Sequence, residues 1–256
     1  MALLKIKGLT KRFGGLTALS ELNLEVVEGS IHGLIGPNGA GKTTVLNVVT
    51  GFSPPTAGIV TFHEQDITGK RPHEVARLGL VRTFQQATLF HSFTVLVNVI
   101  VGCHLHSQIG FLEALLNTPS HQRKERAIQE KCLGILKFLG LEGQAQELAA
   151  NLPHGHQRAL GLAIALASEP RLLLLDEPVT GMNPEETARM MELIQRVRQI
   201  GVTILLVEHD MKAVMGLCDS ITVLNFGRKI AEGSPQEVRE DPVVIEAYLG
   251  TGGHAA

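Results

Sequence analysis

Gly36-Pro37-Asn38-Gly39-Ala40-Gly41-Lys42-Thr43-Thr44 is the stretch whose reading decides the fold of this chain. It fits the pattern G-x-x-x-x-G-K-[ST]. In front of it stands an apolar run, Ile31-His32-Gly33-Leu34-Ile35, that reads as a buried strand. Behind it a helical pattern opens at Thr44-Val45-Leu46-Asn47-Val48-Val49. Strand, glycine loop and helix N-terminus are the three parts of a phosphate cradle. The glycines let backbone N–H groups converge on phosphate oxygens, and the helix end adds partial positive charge. In such a loop Lys42 reaches the β- and γ-phosphates and the Thr43 hydroxyl ligates Mg2+. A glycine-rich turn with a surface lysine would need neither the strand before it nor the helix after it.

The rest of the chain narrows the setting. At 256 residues it is long for one compact unit, which predicts one domain with a subdomain. Charge is nearly balanced, 23 Lys and Arg against 25 Asp and Glu, so there is no electrostatic footprint for nucleic acid. The densest basic stretch, His121-Gln122-Arg123-Lys124-Glu125-Arg126, includes a glutamate and reads as a solvated helix face. Cys103, Cys132 and Cys218 are widely spaced, form no C-x-x-C pair, and read as reduced, buried small hydrophobes. No apolar run approaches the roughly 20 residues of a membrane span, and the N-terminus is too short and charged for a signal peptide. A soluble chain is expected, with any membrane role exerted through a partner.

Short apolar or alternating runs at Leu4–Leu9, Leu22–Val27 and Ile31–Ile35 read as strands, the last two joined by a hairpin-like turn at Glu28-Gly29-Ser30. A break at Gly51–Gly58 precedes a strand at Ile59–Phe62. From Thr94 to about Leu148 the periodicity is helical, with Ile128, Cys132, Ile135, Leu136 and Leu139 on one stripe. In Arg171–Asp176 the four leucines Leu172–Leu175 form a continuous apolar run between the two charged ends, as in a strand covered on both faces. Helix 184–199, strand 202–207, helix 210–217, strands 221–224 and 229–231 and two short helices follow. The expected fold is therefore α/β: a P-loop core formed by residues 3–87 and 161–250, with an antiparallel β element on its N-terminal side. Residues 88–160 are expected to form an inserted helical subdomain, and 251–256 a disordered tail.

A second site narrows the chemistry. Asp176 ends its strand where a carboxylate holds Mg2+ through water, and Glu177 follows at the strand's C-terminal edge. A glutamate there suits a general base that orients water, which implies hydrolysis rather than transfer to an acceptor. The alternative role for Glu177 is to cap the turn at Pro178. His209, one strand later, sits where a side chain can sense the γ-phosphate. Gln85, in Arg82-Thr83-Phe84-Gln85-Gln86, ends a strand just before the helical insert, where it can touch Mg2+ or the attacking water.

The order of these motifs resembles the ATP-binding cassette (ABC) ATPases. The elements are the P-loop, Gln85 at the insert boundary, Leu152-Pro153-His154-Gly155-His156-Gln157-Arg158, the strand ending Asp176-Glu177, Gly181-Met182-Asn183-Pro184, and Glu208-His209. The resemblance covers residues 3 to 250. Within that family, Lys11–Leu19, Arg82–Gln85, Asp176-Glu177-Pro178 and the ending Ile245–Gly250 are similar to the LivG-type subunits of branched-chain amino-acid importers. The resemblance implies that two cassettes sandwich two ATPs, each held by one chain's P-loop (Gly36 to Thr44) and the other chain's signature (Leu152 to His156), with Asn183 near the junction. Phe13 falls at the position of the adenine-stacking aromatic, although it could equally be a core residue. Phe90 and Phe93, in Phe90-His91-Ser92-Phe93-Thr94-Val95, resemble the surface that receives a permease's coupling helix, although they also fit simple packing of the insert.

The sequence departs from the family pattern at four positions. The usual signature is Leu-Ser-Gly-Gly-Gln. Here Pro153 lacks both a hydroxyl and an N–H donor, His154 adds bulk where glycine allows close approach, and His156 replaces glutamine. The LivG-type pattern itself carries proline at the second place. Asn183 stands where the family has aspartate. Either the signature tolerates these side chains, or this half-site is weak and a second, different cassette supplies the productive signature.

The implied function is ATP hydrolysis driving uptake of branched-chain or related amino acids. The implied partners are a second ABC ATPase, two permease subunits and, through them, a substrate-binding protein. The implied location is peripheral, at the cytoplasmic face of the inner membrane. Three rivals stand beside it: a soluble, non-transport cassette ATPase, a cassette for another substrate such as urea, amides or other amino acids, and a small-molecule P-loop kinase. The first commonly shows paired cassettes or coiled-coil inserts, neither of which this sequence shows. The kinase leaves Glu177, His209 and residues 152–158 without a role.

Overall fold

The computed structural model describes residues 1–83, 89–103 and 119–249, in two compact units: Met1–Arg82 with Arg171–Ala256, and Thr83–Pro170. The residues expected to form the tail, 251–256, lie outside the described set, as does Gln85.

The first unit opens with two long strands, β1 (Ala2–Phe13) and β2 (Leu16–Val27), joined by Gly14-Gly15. Along β2 the buried residues Leu22, Leu24 and Val26 alternate with exposed ones, the pattern of a strand with one dry face. With β4 (Ala57–Phe62) and β5 (Gln65–Asp66) they form an antiparallel sheet in the order β2-β1-β4-β5. A second sheet takes β3 (Ile31–Ile35), β6 (Leu80–Thr83), β7 (Leu172–Asp176), β8 (Thr203–Val207), β9 (Ser220–Asn225) and β10 (Arg228–Gly233), in the order β10-β9-β3-β8-β7-β6. Its centre is parallel: β3 pairs with β8 and β9, and β7 with β8. Every residue of β3, β7 and β8 is buried, as their predominantly apolar character requires.

The hairpin expected at Glu28-Gly29-Ser30 does not form. β2 pairs with β1, and β3 lies in the other sheet, so this turn carries the chain from one sheet to the next. The physical reason lies in the periods. β2 alternates and can leave a face to solvent, whereas β3 carries no alternating exposed face and is buried at every residue, so it needs cover on both sides. Thr203 Oγ1 accepts from Gly29 N–H (2.9 Å) and Arg198 Nε donates to Gly29 O (3.1 Å), which anchors the crossing. Side chains of both sheets then share one core, among them Leu4, Val60, Phe62, Leu34, Leu174, Leu205 and Leu224.

His32, on β3, is a buried polar side chain beside that core. Its Nε2 lies 2.9 Å from Thr222 Oγ1 and its Nδ1 2.8 Å from Ser220 Oγ, so both ring nitrogens are satisfied. Burial lowers its pKa from 6.5 to about 4. Between those values the unfolded chain binds a proton that the folded chain refuses. Stability is therefore complete above pH 6.5 and falls as pH drops through the window, by up to about 3 kcal/mol. Urea midpoints at pH 7 and 4.5 should differ less in His32→Gln than in the parent chain. Equal differences in the two would remove His32 from the acid response.

Helices of this unit begin where their caps are. Asn183 caps α6 (Pro184–Gln199), its Oδ1 accepting from Glu185 and Glu186 N–H while Glu186 reaches back to Asn183 N–H. Asp210 caps α7 (Met211–Leu217), and Ser234 caps α8 (Pro235–Glu240), ahead of α9 (Pro242–Leu249). The shorter helices α1 (Lys42–Val49) and α2 (Pro72–Arg77) lie earlier in the chain.

The second unit packs α3 (Val95–Cys103), α4 (Pro119–Phe138) and α5 (His154–Ala167) against one another. Gly102 makes the α3–α5 approach: a Cβ there would lie 2.3 Å from Ile164 O, and Ser168 Oγ donates to Gly102 O at 3.0 Å. The helical stripe holds, with Cys132, Leu136 and Leu139 buried. Residues Gln122 to Arg126 are exposed along α4. Two of the cysteines, far apart in sequence, are neighbours in space: Cys103 Sγ and Cys132 Sγ lie 3.4 Å apart, both buried and free. Phe90 and Phe93 are about half exposed, with ring centroids 5.8 Å apart. Asn98, fully buried, holds the turn that carries them by accepting from Phe90 N–H and donating to Phe90 O and Thr94 O.

Candidate functional site

The loop from β3 to α1 is shaped by close backbone approach. A Cβ on Gly36 would lie 2.1 Å from Leu224 O, so no larger residue fits. Gly41 caps α1 at φ +105°, a conformation that side chains resist. Gly39, at φ +79°, has no atom within 4 Å of the position a Cβ would take, so it faces open space. That space is a cleft of about 430 Å³ bordered by the loop residues Asn38 to Thr44, by Phe13 and Ala18, by Glu177 and by Phe226. Gly36 and Pro37 stand behind it. Their carbonyls accept from Lys42 Nζ at 2.7 and 3.1 Å, which holds the ammonium along the loop. Burial lowers the Lys42 pKa, against the pull of Glu177 and Asp176. An open glycine loop at a helix start with a cation beside it is the chemistry a polyphosphate needs.

Two adjacent strand ends bring acids to this loop. Asp176 is buried at the end of β7, where its Oδ2 accepts from Arg82 Nη2 at 2.7 Å while Arg82 Nη1 donates to Asn47 Oδ1 at 2.7 Å. Glu177 follows at φ +50°, a left-handed conformation unusual for a glutamate. Its N–H bonds Val207 O at 2.8 Å and its Oε2 accepts from Thr180 Oγ1 at 3.4 Å, so the strained residue is pinned on two sides. Strain of this kind costs about 1–3 kcal/mol and collects at functional positions. His209 Nδ1 lies 3.7 Å from Glu177 Oε1.

One residue of this arrangement had no role in the sequence reading. Glu208 is 1 % exposed, and its carboxylate accepts three backbone N–H groups, from Val179 (2.9 Å), His209 (3.0 Å) and Asp210 (3.4 Å). It ties the turn after Glu177 to the turn that holds His209. Burial raises its pKa, and those hydrogen bonds oppose the rise. The signal in the sequence was an acid directly behind the apolar run Ile204–Val207. Arg82 and Asn47, which position Asp176, gave no comparable signal.

Not every residue singled out from sequence meets the cleft. Asn183 spends its side-chain oxygen on capping α6. Leu152 to His156 belong to the second unit, where Pro153 is the N-cap of α5 and accepts from Gln157 N–H at 3.0 Å, while Gln157 Nε2 donates to Leu152 O at 3.0 Å. His156 Nδ1 is buried without a hydrogen-bond partner. Gln85 cannot be placed, since it is outside the described residues.

A phosphate loop between a buried parallel strand and a helix, with an Asp-Glu pair at a strand end beside it, defines the class of P-loop nucleotide hydrolases. The chain belongs to the ABC transporter family, whose profile matches residues 19–180, and is an ATP-binding cassette ATPase. A second profile, that of the branched-chain amino acid ATP-binding cassette transporters, matches residues 228–254. The chain is 45% identical over 249 residues to the high-affinity branched-chain amino acid transport ATP-binding proteins BraF of Pseudomonas aeruginosa and LivG of Escherichia coli K12, covering 97% of this chain and 98% of each relative. Among solved structures, a nucleotide-free ATP-binding cassette from an ABC transporter superposes with a TM-score of 0.85 at 32% identity, covering 97% of this chain and 99% of that one. A cassette in its ADP conformation does so with a TM-score of 0.86 at 34% identity, covering 98% and 99%.

Proposed function

We propose that this chain hydrolyses ATP to drive uptake of branched-chain or closely related amino acids through a membrane permease. The observation that carries the substrate is the likeness to BraF and LivG along nearly the whole chain, reinforced by the branched-chain profile over residues 228–254. In this reading the N–H groups of the loop from Gly36 to Thr44 hold the phosphates, Lys42 neutralises them, and Phe13 carries the adenine. Glu177 orients water and takes its proton as the water attacks the γ-phosphorus, and His209 senses that phosphate.

Thr43 and Asp176, with phosphate oxygens and water, are the donors for Mg2+, which supplies charge neutralisation when bound. The donor chemistry fits. Among the described residues no cluster of three or more His, Cys, Asp or Glu forms a cage of its own, and Mg2+ is ordinarily held by one or two carboxylates together with phosphates. Gln85 is the further Mg2+ ligand of this reading.

The proposed assembly pairs the chain with a second, different cassette on two permease subunits fed by a substrate-binding protein, at the cytoplasmic face of the inner membrane. No described helix is long and apolar enough to cross a membrane, so attachment in this reading runs through the permease, with Phe90 and Phe93 as the contact. Pro153, which brings neither a hydroxyl nor an N–H donor to the signature, supports a productive signature supplied by the second cassette. The test is to purify tagged Glu177→Gln from native membranes in Mg-ATP and identify what accompanies it. A two-subunit permease with a second cassette chain is expected. Soluble or ribosomal partners alone would overturn transport, and a homodimer of this chain hydrolysing at full rate would overturn the mixed pair.

A further inference from the structure

The β9–β10 hairpin turns on Phe226-Gly227, with Asn225 paired to Arg228. Both turn residues have positive φ, +45° and +74°, the two-residue turn that favours Asn or Asp followed by Gly. A phenylalanine in the first position works against the local preference. Phe226 is also 82 % exposed, more than any other large apolar side chain among the described residues. A single exposed apolar residue needs no explanation. A strained one seated on a functional loop does.

The turn is tied to the nucleotide site by its second residue. Gly227 N–H donates to Ala40 O at 2.9 Å, and Ser20 N–H donates to Gly227 O at 2.9 Å. A Cβ on Gly227 would lie 2.4 Å from Ala18 O, so the tip is pressed onto the strand that follows Phe13. The hairpin therefore presents Phe226 from a fixed base, and its ring borders the same cleft as Phe13 and Glu177. Phe13 itself offers limited stacking surface: Lys11 Nζ sits 4.8 Å from its ring centroid and is held there by a 2.7 Å bond to Pro54 O. A base stacked on Phe13 uses the other face and leaves its own far side to water.

We propose that Phe226 is a second aromatic contact for the base of the bound purine nucleotide, supplying apolar surface that Phe13 alone does not. The inference rests on the cleft being the ATP site. Stacking reads a flat ring and not phosphate, so Phe226 adds affinity for nucleoside triphosphates and none for inorganic triphosphate.

The chain contains no tryptophan, so Phe226→Trp places a single indole at this tip. Its emission is expected to be quenched by Mg-ATP and unaffected by Mg-tripolyphosphate. In the full chain, Phe226→Ala and Phe226→Asn should bind ATP about fivefold more weakly, within the usual range for one aromatic contact, with tripolyphosphate affinity unchanged. Phe226→Asn should at the same time melt higher, because asparagine suits the turn; a purely structural role for Phe226 predicts no loss of affinity in that variant. ATP affinity equal to the parent chain in both variants, with a silent indole, would overturn the proposal. Lys42→Ala separates the two failures. If it abolishes ATP binding while Phe226→Ala leaves it untouched, only the base contact falls. A parent chain that binds no ATP overturns the site reading and the proposal together.

Discussion

Glu177→Gln should bind ATP as tightly as the parent chain and turn over at least about a hundredfold more slowly. The amide has the size of the carboxylate and keeps an oxygen to accept from Thr180 Oγ1. The backbone at φ +50°, held by Val207 O, does not depend on the side chain's charge. What the substitution removes is the basic oxygen that takes the proton from water as it attacks. A hundredfold loss is about 2.7 kcal/mol of transition-state stabilisation, the usual size for a positioned general base. Single-turnover hydrolysis, run beside equilibrium ATP binding, separates the two effects. Turnover equal to that of the parent chain would exclude Glu177 as the base and leave it as a strained cap of the Pro178 turn.

Lys42→Ala should abolish tight ATP binding, with affinity at least about a hundredfold lower, because bonds to a charged group contribute about 1.5–3 kcal/mol each. Lys42 is the cation of the loop, and its Nζ already rests on Gly36 O and Pro37 O. Burial lowers its pKa, against the pull of Glu177 and Asp176. Alanine leaves the helix start intact, since Gly41 provides the cap and Thr43 continues the turn. The variant should therefore remain folded. Calorimetric titration with Mg-ATP checks the prediction, and affinity unchanged from the parent would mean that the phosphates lie elsewhere.

The phosphate loop was legible because its parts are consecutive. One strand, one loop and one helix start fall within a short stretch, and the glycine spacing carries the geometry. Asp176-Glu177 was legible for a related reason: a charged pair at the end of an otherwise unbroken apolar strand can only sit at the strand's mouth. Helix starts at Asn183, Asp210 and Ser234 follow from capping residues that lie beside the helices they cap. In each case the residues that interact are neighbours in the chain.

Other features were decided by residues distant in sequence. The turn after β2 reads locally as a hairpin, and only competition among partners sends β3 to β8 and β9. Arg82 and Asp176 meet across a sheet, as do Glu208 and Val179, and no local period announces either pair. Cys103 and Cys132 become neighbours when α3 and α4 pack. Phe226 belongs to a hairpin far from the loop, and only the bond from Gly227 to Ala40 brings it to the cleft.

The sequence by itself determined the glycine loop between β3 and α1 and the acid pair at the end of β7, because those features rest on short contiguous segments whose backbone geometry follows from glycine spacing and strand periodicity. The tertiary structure alone decided which sheet each strand joins, what holds Asp176 and Glu177 in place, and which second aromatic borders the cleft. Those outcomes depend on burial and hydrogen-bond pairing between distant segments, a competition that no local stretch of sequence records.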